Sequence, residues 1–319
     1  MNNKVLIIQK DMIKGLQVPA RECISWVEES FRMKYEAQLP AKLSVHPQGN
    51  DFYTSMPCLL PVGNQFGIKV VSRITGRTPS LSSEIMLYDG ETGHLVALLD
   101  GDWITAMRTG AVAALAIKTF QKASAKKYSI VGLGNTARAT VLCLLELYPN
   151  KQFHFCLLKY KNQAELFIER FSEYTNATFE VVEDMEHLIS GADIIVSCIT
   201  DASGLLCSND SLYEEGVLLV PVHTRGFQNC DLFFDKVYAD DTAHVEGFRN
   251  FKKFRAFDEF SRVLLGVNPG RENDQERIIS YNIGLGLHDI VFAQKIYNKL
   301  NSLCLNSVPF SKETEKFWI

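Results

Sequence analysis

None of the eight cysteines of this sequence (Cys23, Cys58, Cys143, Cys156, Cys198, Cys207, Cys230 and Cys304) belongs to a C-x-x-C pair. The spacing of a zinc ribbon or a thioredoxin-type redox motif is therefore missing. Several cysteines sit in apolar runs, where a free thiol behaves as a small hydrophobe, and that usage favours a reducing cytoplasm. Also missing is any apolar run of membrane-spanning length. The opening Met1-Asn-Asn-Lys-Val-Leu-Ile-Ile-Gln9 lacks the long apolar segment and cleavage site of a signal peptide. Secretion and membrane insertion are both disfavoured. There is no excess of one charge either: 33 Lys and Arg against 37 Asp and Glu leave a net charge of −4, with the basic residues dispersed. That excludes the electrostatic footprint of a nucleic-acid binder. Repeats and low-complexity tracts are absent. The histidines show no ligand spacing with carboxylates or cysteines, so no metal is expected.

What is present is a chain of 319 residues, 46% hydrophobic, with enough apolar content for two cores. Its centre is Lys127-Tyr-Ser-Ile-Val-Gly-Leu-Gly-Asn-Thr-Ala-Arg138. Tyr128, Ile130 and Val131 suit a buried parallel strand, Gly132 permits a tight turn, and Gly134 lets backbone approach a pyrophosphate resting on the next helix. Ala137 takes the third glycine position of the fingerprint, which tolerates alanine. An apolar helical face follows (Ala137, Val141, Leu144, Leu145, Tyr148), then a strand at Phe153–Leu158, which completes one βαβ unit.

Before this unit, Val5–Ile8 reads as a strand and Val18-Pro19 opens a helix with the stripe Cys23, Ile24, Val27, Phe31 and Tyr35. Short strands are expected at 43–45, 52–56, 66–71, 84–88 and 95–99, the last two joined by the turn Asp89-Gly-Glu-Thr-Gly93. An alanine-rich helix over 103–119 bridges two domains. After the unit, helices at 162–174, 184–190, 208–215 and 258–265 alternate with strands at 179–182, 193–198, 217–222, 237–239 and 278–283, before a last helix over 287–300 and a tail at 310–319. Such alternation predicts a doubly wound parallel sheet.

Two sets of charges bear on chemistry. Lys42, Lys69, Arg73, Arg77 and Arg108 lie in the β-rich half, and Lys69 and Arg108 stand on apolar elements, where a charge needs a partner. A carboxylate-bearing substrate would supply one. At the end of the second strand of the βαβ unit, Leu158-Lys159-Tyr160-Lys161 has no acid to grip the ribose hydroxyls. A lysine there attracts a 2′-phosphate, which tips the expectation towards NADP(H) over NAD(H).

The run Asp100-Gly-Asp-Trp-Ile-Thr-Ala-Met-Arg-Thr-Gly-Ala-Val-Ala-Ala-Leu115, between Asp89-Gly-Glu-Thr-Gly93 and the glycine turn, resembles the ornithine cyclodeaminase/mu-crystallin family. The resemblance continues through Gly67-Ile-Lys69, Gly191-Ala-Asp-Ile-Ile-Val-Ser197 and Gly284-Leu-Gly-Leu-His-Asp289, and covers nearly the whole chain. It implies an α/β protein with a Rossmann-type doubly wound parallel sheet over 118–289, and an α+β substrate-binding and dimerisation domain from 1–117 with 290–319. It also implies a homodimer, a small amino or imino acid substrate held in a cleft, and NADP(H) or NAD(H) as cofactor. Lys69 matches the family's active-site lysine, Arg108 its carboxylate-binding arginine, and Lys42 stands where many members carry a second such arginine. Gly132, Gly134, Asn135, Thr136, Ala137, Lys159, Ser197 and Thr200 fall to the cofactor.

Two positions depart from the cyclodeaminase pattern. His223 stands where the family has an aspartate, and Thr54-Ser55 precede Met56-Pro57 where it has a glutamate. Proton transfer then falls to Lys69 or His223. The expected activity is an NAD(P)-dependent oxidoreductase of the amino-acid dehydrogenase or ketimine reductase type. Ornithine cyclisation and non-catalytic NADPH binding, as in crystallins, remain the alternatives.

Overall fold

The computed structural model describes residues 4–302, 307–313 and 315–317. Cys304 and tail positions 314, 318 and 319 lie outside the described residues. In chain order the elements are β1 (Lys4–Ile8), α1 (Lys10–Gly15), α2 (Ala20–Arg32), β2 (Leu43–Val45), β3 (Phe52–Leu59), β4 (Gln65–Arg73), β5 (Leu81–Asp89), β6 (Leu95–Asp100) and α3 (Asp102–Phe120). They continue with β7 (Lys127–Val131), α4 (Asn135–Leu147), β8 (Phe153–Leu158), α5 (Gln163–Arg170), β9 (Ala177–Val182), α6 (Met185–Ile189), β10 (Ile194–Ser197), β11 (Leu218–Pro221) and β12 (Lys236–Ala239). The last are β13 (Phe257–Glu259), α7 (Phe260–Leu264), β14 (Ile278–Tyr281), α8 (Gly286–Asn301) and β15 (Ser307–Pro309). Two units result, one from 1–19, 33–105 and 285–319, the other from 20–32 and 106–284. The division falls inside α3, and α2, packed on α4 and α7, groups with the second unit. No described helix is long and apolar enough to cross a membrane.

In the first unit seven strands run in the order β15-β1-β6-β5-β4-β3-β2, with β1 and β6 parallel and the other neighbours antiparallel. Strand alternation turns Met56 and Cys58 of β3 and Gly67 and Lys69 of β4 to one buried side. Helix α8 packs against β3, β4 and β5, and the missing side chains at two glycines permit its approach. A Cβ on Gly67 would lie 2.6 Å from Ile290 Cδ1, and one on Gly286 would lie 3.0 Å from the Met56 carbonyl oxygen. The β5–β6 turn closes as expected, with Asp89 Oδ1 accepting from the Thr92 amide at 2.7 Å and Gly93 at φ +69°.

The second unit is built on eight parallel strands in the order β13-β12-β14-β11-β10-β7-β8-β9. The chain winds outward from β7 through β8 and β9, then returns to wind the other way through β10 and β11, which puts the topological switch point between β7 and β10. Buried on both faces, these strands carry near-continuous apolar runs such as Ile194–Val196 and Leu218–Val220. The small residues of α3 serve close packing: a Cβ on Gly110 would stand 2.5 Å from Ala139 backbone and side chain.

Several sequence expectations are corrected. Over 208–215 the chain forms only a 3₁₀ turn, Asp210–Leu212, because Asn209 Oδ1 accepts from Ser211 N at 3.3 Å and Ser211 Oγ at 2.7 Å and diverts the backbone from a helix. Residues 257–259 form strand β13, paired with β12, and the helix starts only at Phe260. Tyr35 lies beyond the end of α2 and is exposed, so the stripe ends at Phe31. Helix α1 and strand β15, which pairs antiparallel with β1, have no counterpart among the expected elements. Arg77, exposed, donates from Nη2 to the Ser72 and Ser80 carbonyls at 3.0 Å and holds the 72–80 loop.

Candidate active site

In the first unit the buried face of β4 carries Lys69, whose Nζ lies 2.7 Å from Asp289 Oδ2 in the first turn of α8. Neither side chain has any solvent contact. Stripping water from two such ions costs several kcal/mol each, and only a close opposite charge offsets it. The partner that Lys69 requires is thus supplied by the chain itself. Lys69 pairs in register with Met56 of β3, and Lys42 stands half-buried just before β2.

In the second unit the candidate residues form a row along the carboxyl edge of the parallel sheet, each at the end of a strand or just beyond it. Gly132 follows β7 at φ +82°, and a Cβ there would stand 2.6–2.7 Å from the backbone of Cys198 and Ile199, so only glycine fits. Gly134 is the N-cap of α4 with no side-chain cap, and nothing lies within 4 Å of where its Cβ would be. Asn135 and Thr136 open the helix, and Ala137 is buried beneath them. The first amides of α4 have no helical acceptor, and open space stands at Gly134: this is the cradle a pyrophosphate needs. The residues present therefore fit a dinucleotide.

Beside this turn Ser197 ends β10, in register with Val131 of β7 and Pro221 of β11. Its buried Oγ lies 2.6 Å from His223 Nε2, while the Arg225 amide donates to His223 Nδ1 at 3.3 Å. An amide can only donate, so Nδ1 accepts and Nε2 carries the proton of a neutral ring that donates to Ser197. Burial pushes the His223 pKa down to about 4, which keeps it neutral at physiological pH. Burial also pushes the Cys198 thiol up to about 12, and that sulfur is no thiolate nucleophile. Thr200 is exposed in the loop after β10.

At one end of the row, Lys159 follows β8 and its Nζ meets Glu183 Oε1 at 2.7 Å, just beyond β9. At the other, Asp240 follows β12; its Oδ2 accepts from the Gly284 amide and its Oδ1 lies 2.9 Å from His244 Nδ1. Arg108, almost wholly buried, lays its guanidinium against Gly284, where any side chain would collide with it. Asp289, Asp240 and Glu183 have no place among the residues expected from sequence. Asp289 alone left a signal, an acid inside the apolar run Leu287–Ala293. Among the described residues no group of three or more His, Cys, Asp or Glu could hold a metal ion, and the seven described cysteines are free.

The profile of the ornithine cyclodeaminase/mu-crystallin family matches residues 3–303. Nodulation efficiency protein NfeD of Rhizobium meliloti is 26% identical over 282 residues, covering 84% of this chain and 86% of that protein. Delta(1)-pyrroline-2-carboxylate reductase of Bacillus thuringiensis subsp. konkukian is 27% identical over 268 residues, 76% of this chain and 80% of the relative. The structure of the Thermococcus litoralis Delta(1)-pyrroline-2-carboxylate reductase, solved with NADH and L-proline, superposes with a TM-score of 0.84 at 24% identity, covering 96% of this chain and 100% of the other, which establishes a shared fold.

The ion pair and the histidine each give a test. Asp289→Ala removes the carboxylate 2.7 Å from the buried Lys69 ammonium and lowers unfolding free energy by about 3–5 kcal/mol, whereas the double change Lys69→Met, Asp289→Leu recovers most of that loss in urea titrations. A double variant as unstable as the single one would show that the pair contributes packing and not charge balance. His223 stabilises the fold only while neutral: its contribution is complete above pH 6.5 and is lost as pH falls towards 4. Asp231, pushed up to about 6 by burial, works in the opposite sense. Unfolding measured at pH 7 and pH 5 for the natural protein and His223→Asn isolates the histidine, with the smaller acid loss expected in the variant.

Proposed function

Because the chain belongs to the ornithine cyclodeaminase/mu-crystallin family, we propose that it is an NAD(P)-dependent oxidoreductase acting on the carbon–nitrogen bond of a small amino or imino acid. The observation that carries this reading is the switch-point turn: Gly132 pressed on the Cys198 backbone, with the uncapped start of α4 open beside it. Gly132, Gly134 and the start of α4 would hold the dinucleotide, whose nicotinamide would supply hydride-transfer chemistry at the substrate α-carbon.

The remaining roles belong to the chain. Arg108 offers a planar fork of N–H donors matched to a carboxylate, Lys42 adds positive charge, and Lys69 brings an ammonium whose charge Asp289 already balances. Ser197 accepts from His223 and has its own hydroxyl proton to donate, so the pair acts as an oriented donor and not as an acid. Lys69 is then the group that manages the proton on the substrate nitrogen. Neutral His223 is no anionic acceptor for a substrate amino group, and Thr54-Ser55 supply no carboxylate, which places cyclodeamination second.

Homodimerisation is supported by one face of the first sheet. Ile7, Leu98, Met86, Ile68 and Pro57 are successive register partners across five strands, all apolar and none fully buried. A second copy of this chain would cover such a row. The substrate-binding and dimerisation roles of the first unit, and the cytoplasmic setting, belong to the same proposal.

Native mass spectrometry followed by turnover assays tests it. A two-chain mass with bound nucleotide is expected, as is nucleotide oxidation on adding Delta(1)-pyrroline-2-carboxylate or α-keto acids with amines. Proline and ammonia formed from L-ornithine without net change in nucleotide would replace the reading by cyclodeamination. Arg108→Lys keeps the charge and loses the fork, and should lower kcat/KM roughly tenfold to a hundredfold, mostly through KM, since hydrogen bonds to charged groups contribute about 1.5–3 kcal/mol.

A further inference from the structure

Resting on the reading of the second unit as a nicotinamide-dinucleotide site, we propose that Glu183 makes this protein select NAD(H) over NADP(H) by holding Lys159 and adding negative charge at the carboxyl ends of β8 and β9. The end of the second strand of such a unit is where the adenosine ribose is read: an acid there suits the free 2′-hydroxyl, a cation the 2′-phosphate. From the chain order alone that position offers Lys159 and points to the phosphate.

The fold changes the sign. Leu158 and Val182 are register partners, and the Lys159 amide donates to the Val182 carbonyl at 2.9 Å, so Lys159 and Glu183 leave their strands side by side. Their side chains meet at 2.7 Å with 43% and 73% of their surfaces exposed. An ion pair so open to water contributes little to stability, which leaves its charge pattern as the feature with consequences.

The neighbourhood agrees. Asp184 follows Glu183 and accepts from the His187 amide at 2.9 Å as the cap of α6, and Glu165 in the first turn of α5 acts electrostatically on Lys159. The other cation, Lys161, lies over the Tyr160 ring, 5.3 Å from its centroid. Lys159 thus stands with Glu183 and Glu165, with no net positive charge to receive a group carrying about −1.5 to −2. A ribose diol brings no charge and can donate to the Glu183 carboxylate.

The test is equilibrium binding of NADH and NADPH to the intact protein, followed by nucleotide fluorescence or calorimetry at fixed ionic strength. NADH should bind about tenfold or more tightly than NADPH, the effect of one near charge at a water-facing site. Glu183→Gln should tighten NADPH by a similar factor with NADH nearly unmoved, and Lys159→Gln should weaken NADPH further. Tighter NADPH binding by the natural protein, or a preference unchanged within twofold in Glu183→Gln, overturns the proposal while the dinucleotide reading stands. Failure of both nucleotides to bind overturns the two together.

Discussion

Lys69 and Asp289, 2.7 Å apart and shut off from solvent, tie the middle of a β-strand to the first turn of a helix from the far end of the chain. Neither charge could be buried alone, so β4 and α8 must arrive together or not at all. The rest of the first unit is arranged to allow that meeting. Gly67 sits two residues before Lys69 and Ile290 one after Asp289, and the missing Cβ of the first makes room for the methyl of the second. Gly286, against the Met56 carbonyl, does the same at the helix start. The unit is assembled from both ends of the sequence because its central charge pair is.

The second unit follows another constraint. A parallel sheet delivers every strand end to one edge, and the residues beyond those ends become neighbours whatever their spacing in sequence. Asp240, His223, Ser197, Gly132, Lys159 and Glu183 form such a row, and their hydrogen bonds run between adjacent strand ends: His223 to Ser197, Lys159 to Glu183. Chemistry at this edge is decided by pairs, and a residue taken singly gives a misleading account of its charge. His223 taken alone is a group poised to titrate near neutrality. Bonded through both ring nitrogens and partly buried, it is a neutral donor.

This explains which features were legible in the sequence. The glycine turn was, because its cause is local: a positive φ and a close backbone approach need glycine whatever surrounds them. The parallel sheet was, since buried strands announce themselves as short apolar runs between helical patterns. Lys69 was legible as a cation in need of a partner, but Asp289 was not legible as that partner, because nothing local links two positions so far apart. The sign of the charge beside Lys159 was hidden for the same reason, as Glu183 is brought in by β9. Over 208–215 the failure was local: the apolar pattern outweighed Asn209, Asp210 and Ser211, whose side chains offer the backbone an alternative to the helix.

The two ion pairs also differ in how a ligand can use them. Coulomb attraction in a water-free site is several times stronger than at a surface, so a substrate carboxylate cannot cheaply draw Lys69 away from Asp289 and must take what that pair leaves directed outward. Lys159 and Glu183, both facing water, exchange partners at little cost. Under the proposed function the first pair is a rigid reference for orienting a small substrate. The second, as proposed, is a soft filter, whose discrimination lies in the charges it presents and not in the strength of its own bond. On the proposed reading, a chain that buries one pair and exposes the other holds its reaction geometry fixed while a single exposed carboxylate sets its choice of nucleotide.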